Sequence, residues 1–173
     1  MKFATSLVQT RFQSPLGTLI AAASDKGLAG LWFDDQRHLP PELTGAAVWR
    51  TDDDHPLLKR TVNQIGDFFA GARAVFDMPL DLSCGTPFQQ SVWQALLLIA
   101  PGDTASYGQI SARIGNPTAV RAVGAAVGRN PISIIVPCHR VMGADGSLTG
   151  YAGGLHRKTA LLALEGVLEE TIL

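Results

Sequence analysis

Cysteine is scarce in this chain of 173 residues, and aromatic residues make up only 7% of it. The two cysteines, Cys84 and Cys138, allow one disulfide at most and belong to no pair or cluster with metal-ligand spacing. This argues against a disulfide scaffold and against a structural zinc site. No apolar run reaches the roughly 18 to 20 residues of a membrane span, and the N-terminus lacks the apolar core of a secretory signal. We therefore expect a cytoplasmic protein.

Hydrophobic residues make up 46% of the chain, enough to build one large or two small cores. The runs "GTLIAAAS" and "GLAGLWF", separated by "SDKG", predict a β-hairpin, and apolar spacing predicts a helix over residues 54–70. From residue 84 the pattern becomes mainly helical, with Thr86 as a predicted N-cap and Pro87 at the first helical position. We predict two domains, residues 1–83 and 84–173.

The net charge of −1 conceals an uneven distribution along the chain. Residues 106–158 contain six cations and one acidic residue, a local net charge of +5. Such a segment suggests an anionic partner, for which nucleic acid is the first candidate. A solvated face with scattered arginines explains the same charges equally well.

Two short helices are predicted around "GNP" in residues 106–131, with Asn116 as N-cap and Pro117 first in the second helix. This pattern favours a helix-turn-helix. The second helix places three valines, Val120, Val123 and Val127, on one side, which can face the core. The other side carries Thr118, Arg121, Gly124, Ala125 and Gly128. A surface bare except for one long cation suits a minor groove better than base reading in the major groove, although helix packing is a plausible alternative.

Cys138 ends the apolar segment "PISIIVPC" and precedes His139 and Arg140. A thiol with an ordinary pKa of about 8.5 needs a base or a positive field to act as a nucleophile, and these neighbours supply both residue types. Adjacent side chains in an extended segment point apart, so His139 would reach the thiol through a turn or a bridging water. An inert buried thiol is the alternative. A phosphatase loop is disfavoured because Ala144 stands where its arginine is needed.

Five motifs in order resemble the O6-alkylguanine-DNA alkyltransferase family over about residues 85–166. They are "SYGQIS", "RAVG", "NPISIIVPCHRV", "GYAGG" and "LLALEG". The resemblance implies an α+β fold, with an RNase H-like N-terminal α/β domain followed by a mainly helical, winged-helix-like domain that contains the helix-turn-helix. Similarity in the N-terminal part is loose.

The resemblance also implies direct-reversal DNA repair, in which an alkyl group passes irreversibly from O6-alkylguanine to a cysteine of the protein. The partner would be double-stranded DNA bound through its minor groove, with the damaged base flipped out. No cofactor and no metal are expected, and the protein would act as a monomer. Activity on O4-alkylthymine, cooperative binding along DNA and the preferred alkyl size stay open.

The resemblance assigns roles to individual residues. Cys138 matches the alkyl acceptor, His139 the base that acts on it through water, and Glu165 the carboxylate that orients the histidine. Arg121 matches the arginine that replaces the flipped base, and Asn130 a hinge between the recognition helix and the cysteine segment. The expected DNA-binding set is Arg121, Tyr107, Asn130, Thr118, Ala122 and Ala125. The expected substrate pocket comprises Tyr107, Val141, Tyr151, Ala152 and Gly153.

Some positions depart from the pattern, and two other functions compete with repair. Ser133 and Ala152 stand where some members have proline and serine, which would change the pocket width. A non-catalytic binder of alkylated DNA would lack the acceptor, so Cys138 argues against it. A transcription factor with a redox-sensing thiol would need a helix that reads bases, and the bare face around Arg121 argues against that.

Overall fold

The chain forms two compact units in a computed structural model that describes residues 1–45 and 48–168. The first unit comprises Met1–Gly85 together with Pro131–Ser133, and the second comprises Thr86–Asn130 and the described residues from Ile134 onward. The short segment Pro131–Ser133 pairs with the sheet of the first unit, through Leu31 N to Pro131 O at 2.8 Å and Ser133 N to Leu31 O at 2.9 Å. The predicted domain boundary between residues 83 and 84 stays a prediction. It placed Pro131–Ser133 in the second domain, whereas here this segment belongs to the first unit.

A four-stranded sheet with the order β3-β2-β1-β4 forms the centre of the first unit. Strands β1 (Val8–Ser14), β2 (Gly17–Ala23) and β3 (Leu28–Phe33) are antiparallel, and β4 (Arg50–Thr51) pairs parallel with β1. The predicted hairpin is confirmed as β2 and β3. Strand β1 was not predicted, because its polar residues give little of the apolar alternation that indicates a strand.

Helix α1 (Pro56–Phe69) confirms the helix predicted over residues 54–70. It begins where Nδ1 of His55 accepts a hydrogen bond from Leu57 N at 3.2 Å, with Pro56 at the first helical position. Its buried face includes Leu58 and Ile65. At 14 residues it is the longest described helix, and no helix in the described part of the chain is long and apolar enough to cross a membrane.

The second unit is mainly helical, with one small sheet. Its helices are α2 (Pro87–Leu96), α3 (Tyr107–Arg113), α4 (Val120–Gly128) and α5 (Leu155–Leu164), and its sheet pairs β5 (Ala105–Ser106) parallel with β6 (Val141–Met142). The buried indole of Trp93 donates to Ala126 O at 2.9 Å, which joins α2 to α4. Together with the first unit, this confirms the predicted α+β class.

Helix α4 begins later than predicted. Its N-cap is Ala119 and not Asn116, because residues 116–119 form a turn in which Ala119 N bonds to Asn116 O at 3.1 Å. Val123 and Val127 are buried as expected, but Val120 is 41% exposed. The assignment of Val120 to the core was therefore wrong, since it occupies the exposed first turn.

The start of α2 yields a prediction on stability. Thr86 Oγ1 accepts from Gln89 N at 3.1 Å, and Gln89 Oε1 accepts from Thr86 N at 3.0 Å, which satisfies two backbone donors at the helix end. We expect Thr86→Ala to lower the free energy of unfolding by about 1 kcal/mol, measured by urea titration followed by circular dichroism. Thr86→Ser keeps the hydroxyl and serves as the control. Equal midpoints for the two variants would contradict a stabilising cap.

Candidate active site

A single turn of 3₁₀ helix, Cys138–Arg140, carries the candidate thiol. Cys138 N bonds to Val136 O at 2.8 Å and Arg140 N to Pro137 O at 3.0 Å, so the chain bends as soon as it leaves the proline. The turn leads into β6, whose partner β5 leads directly into Tyr107 at the start of α3. The sequence left two ways for His139 to reach the thiol, a turn or a bridging water, and the turn is present here.

The backbone just before this turn is strained. Ile134 has φ of +73°, a left-handed conformation that is unfavourable for a β-branched residue, and its side chain is only 1% exposed. Asn130 at the end of α4 donates from Nδ2 to Val136 O at 2.8 Å. Strain of this kind persists only where surrounding contacts hold it, so packing and the Asn130 bond fix the segment that ends at Cys138.

Glu165, at the C-terminal end of α5, is held from two sides. Its Oε1 lies 2.5 Å from Nε2 of His139, and both side chains are buried, with 0% and 3% of their surface exposed. Arg140 donates to the same carboxylate from Nε, at 3.2 and 2.9 Å, and from Nη2. The third nitrogen of Arg140, Nη1, donates to Ile99 O at 2.6 Å. The carboxylate is therefore fixed in position.

These contacts determine the protonation of the histidine. Burial alone would raise the pKa of Glu165, but the hydrogen bonds from His139 and Arg140 outweigh it and lower that pKa. Burial lowers the pKa of His139, against the opposing effect of Glu165. An ionised carboxylate can only accept, so Nε2 carries the hydrogen and Nδ1 has the lone pair. That Nδ1 is buried, and none of the described residues hydrogen-bonds to it.

The two thiols differ in their surroundings. Burial raises the pKa of Cys138, while a hydrogen bond from Asn130, the charge of Lys158 and backbone amides act in the opposite direction. Burial raises the pKa of Cys84 to about 11, and the negative charge of Asp81 adds to the effect. Both are thiols at rest, but only Cys138 has side chains beside it, Asn130 and Lys158, that stabilise a thiolate.

Lys158 is part of this environment and was missed by the sequence analysis. Its side chain is fully buried in α5, and Nζ donates to Val141 O at 2.5 Å and to Thr149 O at 3.2 Å. Burial lowers its pKa, while the nearby Cys138 raises it. Its position in the sequence was the available signal. Lys158 lies on the same helical stripe as Leu161 and Glu165, and the apolar Leu161 indicates that this stripe faces the interior.

The predicted DNA-binding residues fall into two groups. Those exposed on or just before α4 are Thr118, Arg121, Ala122 and Ala125, while Tyr107 is half-buried. A Cβ added at Gly124 would lie 3.9 Å from the Tyr107 ring, so this ring packs beside the helix. Asn130 is buried and ties α4 to the cysteine segment rather than lining the exposed face.

The local charge of +5 overstates how basic the surface is. Three of the six cations, Arg140, Arg157 and Lys158, are buried and bonded within the unit. The exposed ones are Arg113, Arg121 and Arg129. The count of charges from the sequence was correct, but half of the positive charge serves the interior.

The predicted pocket residues lie in the same unit as Cys138. Tyr107 shares a hydrogen bond with Thr149, with 2.9 Å between their hydroxyl oxygens. Val141 and Gly153 are buried, and Tyr151 and Ala152 are half-buried. Across residues 1–45 and 48–168, no group of three or more His, Cys, Asp or Glu side chains could hold a metal ion.

Comparison with known proteins matches both parts of the chain. Residues 7–82 match the ribonuclease-like domain of 6-O-methylguanine DNA methyltransferase, and residues 87–167 match its DNA binding domain. The chain is 49% identical over 152 residues to the methylated-DNA--protein-cysteine methyltransferase of Mycobacterium leprae, covering 88% of each protein. The chain belongs to this methyltransferase family. The resemblance and the two-part fold predicted from the sequence are thereby confirmed.

Other members of the methyltransferase family match similarly. The protein of the same name from Mycolicibacterium paratuberculosis is 50% identical over 152 residues, again with 88% of each chain covered. A crystal structure of Mycobacterium tuberculosis OGT in complex with DNA superposes with a TM-score of 0.81 at 47% identity, over 91% of this chain and 92% of that one.

The position of Lys158 beside Cys138 yields a prediction on thiol reactivity. Removing its charge in Lys158→Met should raise the pKa of Cys138, because the charge of Lys158 opposes the effect of burial, and should slow its alkylation by iodoacetamide at neutral pH. The rate is measured against pH by mass spectrometry of the peptide that contains Cys138, after circular dichroism confirms folding. Lys59→Met removes an exposed lysine, whose side chain is 60% accessible, and should leave the profile unchanged. An unchanged profile in folded Lys158→Met would exclude a charge effect.

Proposed function

We propose that this protein repairs O6-alkylguanine in double-stranded DNA by one irreversible transfer of the alkyl group to Sγ of Cys138. The observation that carries the proposal is the 2.5 Å contact between Nε2 of His139 and Oε1 of Glu165. It leaves Nδ1 of His139 able to accept a proton, and His139 directly follows Cys138 in the chain. The names of the family members, methylated-DNA--protein-cysteine methyltransferases, describe the same donor and acceptor.

The proposed reaction is a displacement at the alkyl carbon. The thiol proton passes to Nδ1 of His139 through a bridging water, and the sulfur attacks the alkyl carbon. A carbon–sulfur bond forms as the bond from carbon to O6 breaks, and its electron pair remains on the guanine, which takes up the proton. The thioether product has no acidic hydrogen and cannot act as a nucleophile again, so each molecule reacts once.

The resting pKa shifts favour proton transfer only during the reaction. Burial raises the pKa of Cys138 and lowers that of His139, so an ion pair between them is unfavourable before substrate arrives. Each pKa unit of mismatch corresponds to about 1.4 kcal/mol. The charge of Lys158, hydrogen bonding from Asn130 and the carboxylate of Glu165 reduce this cost, which supports a thiolate that exists only while the alkyl group is being attacked.

The exposed part of α4 supports binding in the minor groove. Small side chains such as Ala122 and Ala125 allow its backbone to approach DNA closely, and Arg121 is long enough to enter the duplex. Extrusion of a base costs a few kcal/mol, and a guanidinium in the vacated space would offset part of that cost. The pocket for the flipped base would be lined by Tyr107, Val141, Tyr151, Ala152 and Gly153. We also propose a cytoplasmic location, where such DNA would be met.

Transfer to Cys138 is tested by incubating the protein with a duplex that contains O6-methylguanine. We expect one methyl group on the peptide that contains Cys138, detected by mass spectrometry, and a matching loss of O6-methylguanine. Cys84→Ala should react as the wild type does, because Cys84 lies in the other unit, away from His139 and Glu165. Cys138→Ala should not react. A duplex that binds while Cys138 stays unmodified would instead favour a non-catalytic binder.

The role of Arg121 is tested by separating duplex opening from chemistry. Arg121→Ala should slow repair of duplex DNA by at least about tenfold, because the flipped base loses its replacement in the stack. Transfer from the free base O6-benzylguanine needs no flipping and should change little. Arg113→Ala removes an exposed cation of α3 and controls for general loss of charge. Equal losses on both substrates would contradict a role in flipping.

A further inference from the structure

Arg140 has a role that the proposed function does not yet include. Its position after Cys138 suggested a positive field for the thiol, but its guanidinium donates hydrogen bonds to the carboxylate of Glu165 and to Ile99 O. The guanidinium is buried, with 6% of the side chain exposed, and covers both oxygens of the carboxylate. A buried, two-oxygen arginine fork fixes both the charge and the orientation of its partner.

The carboxylate of Glu165 therefore has two partners with opposite requirements. A buried carboxylate paired with histidine alone favours the imidazolium, because the two opposite charges stabilise one another in a low dielectric. An imidazolium has hydrogens on both nitrogens and cannot accept the proton of the thiol. With Arg140 on the same carboxylate, the negative charge of Glu165 is partly compensated, so it stabilises a second proton on His139 less strongly.

The other charged groups around His139 act in the same direction as Arg140, except for Glu165. Lys158 on α5 is positive and opposes protonation of the histidine, and Cys138 is a neutral thiol at rest. Burial has the same effect as the two cations. Glu165 is thus the group that favours the imidazolium, and Arg140 is the cation that contacts it directly.

We propose that Arg140 is a positioning residue for alkyl transfer, which holds Glu165 ionised and in place so that His139 stays neutral, with Nδ1 able to accept the thiol proton. The inference rests on the proposed function and adds its control by pH. Arg140 acts through Glu165 and does not touch the thiol. It also makes the imidazolium short-lived once formed, so the proton is readily passed on to the departing guanine.

The prediction concerns the shape of the pH profile more than the size of the rate. In Arg140→Gln the fork and its charge are lost, so the pKa of His139 rises and protonation stops the reaction at a higher pH. Burial would also raise the pKa of Glu165, and its protonation would remove the acceptor for Nε2 in the same pH direction. We expect the acid limb of the rate to move up by about one pH unit, with a smaller loss at alkaline pH.

The experiment measures single-turnover methyl transfer from O6-methylguanine in duplex DNA, at saturating duplex, across the pH range. Arg140→Lys is the matched control, because it keeps a positive charge but cannot form the fork. We expect it to react more slowly with its acid limb near that of the wild type. If Arg140→Gln and Arg140→Lys lose the same factor at every pH, Arg140 is only a structural clamp and the inference fails. If the wild type transfers no methyl group, the proposed function itself fails.

A second measurement needs no folded Arg140→Gln protein. Nitrogen NMR of histidine-labelled wild type distinguishes the neutral ring from the imidazolium and identifies which nitrogen carries the hydrogen. We expect His139 to be neutral and protonated at Nε2 at neutral pH, and to remain so below the pH at which an exposed histidine becomes charged. A charged His139 at neutral pH would overturn the inference, because the carboxylate would then belong to the histidine and not to the arginine.

Discussion

The carboxylate of Glu165 is the group on which the candidate site depends. It lies at the C-terminal end of α5, orients His139 and binds Arg140. Nη1 of Arg140 in turn donates to Ile99 O, in the segment between α2 and β5. Because all of these groups are buried, removing any one of them would leave an unpaired charge or hydrogen-bonding group inside the protein. The same contacts therefore stabilise the geometry around Cys138 and set the protonation of His139.

Much of the fold could be predicted from local sequence signals. The hairpin of β2 and β3 and the capped start of α2 each depend on residues close in sequence, and both are present. Strand β1 and the first residue of α4 were not predicted correctly. Strand β1 is determined by pairing with β2 on one side and β4 on the other, and α4 by a turn that delays the helix beyond Pro117.

The site shows the same limit. Cys138, His139 and Glu165 could be named because their motifs resemble a family, but the partners of Arg140 and Lys158 could not. Arg140 reaches Ile99, 41 residues away in sequence, and Lys158 reaches Val141, 17 residues away. The burial that makes these contacts strong is a property of the folded unit, and a charge count treats buried and exposed cations alike. The roles assigned to individual residues stay predictions.

The burial of three cations near the site bears on how the protein would search DNA. Binding to DNA releases about one counterion for each phosphate neutralised. The logarithm of the affinity for undamaged duplex therefore falls with the logarithm of the salt concentration, with a slope set by the number of exposed cations that contact phosphates. In this segment Arg113, Arg121 and Arg129 are exposed, half of the six. The segment would therefore hold undamaged DNA weakly and release it quickly. A protein that reacts once has to inspect many intact bases before it meets a damaged one, and weak nonspecific binding keeps that inspection fast.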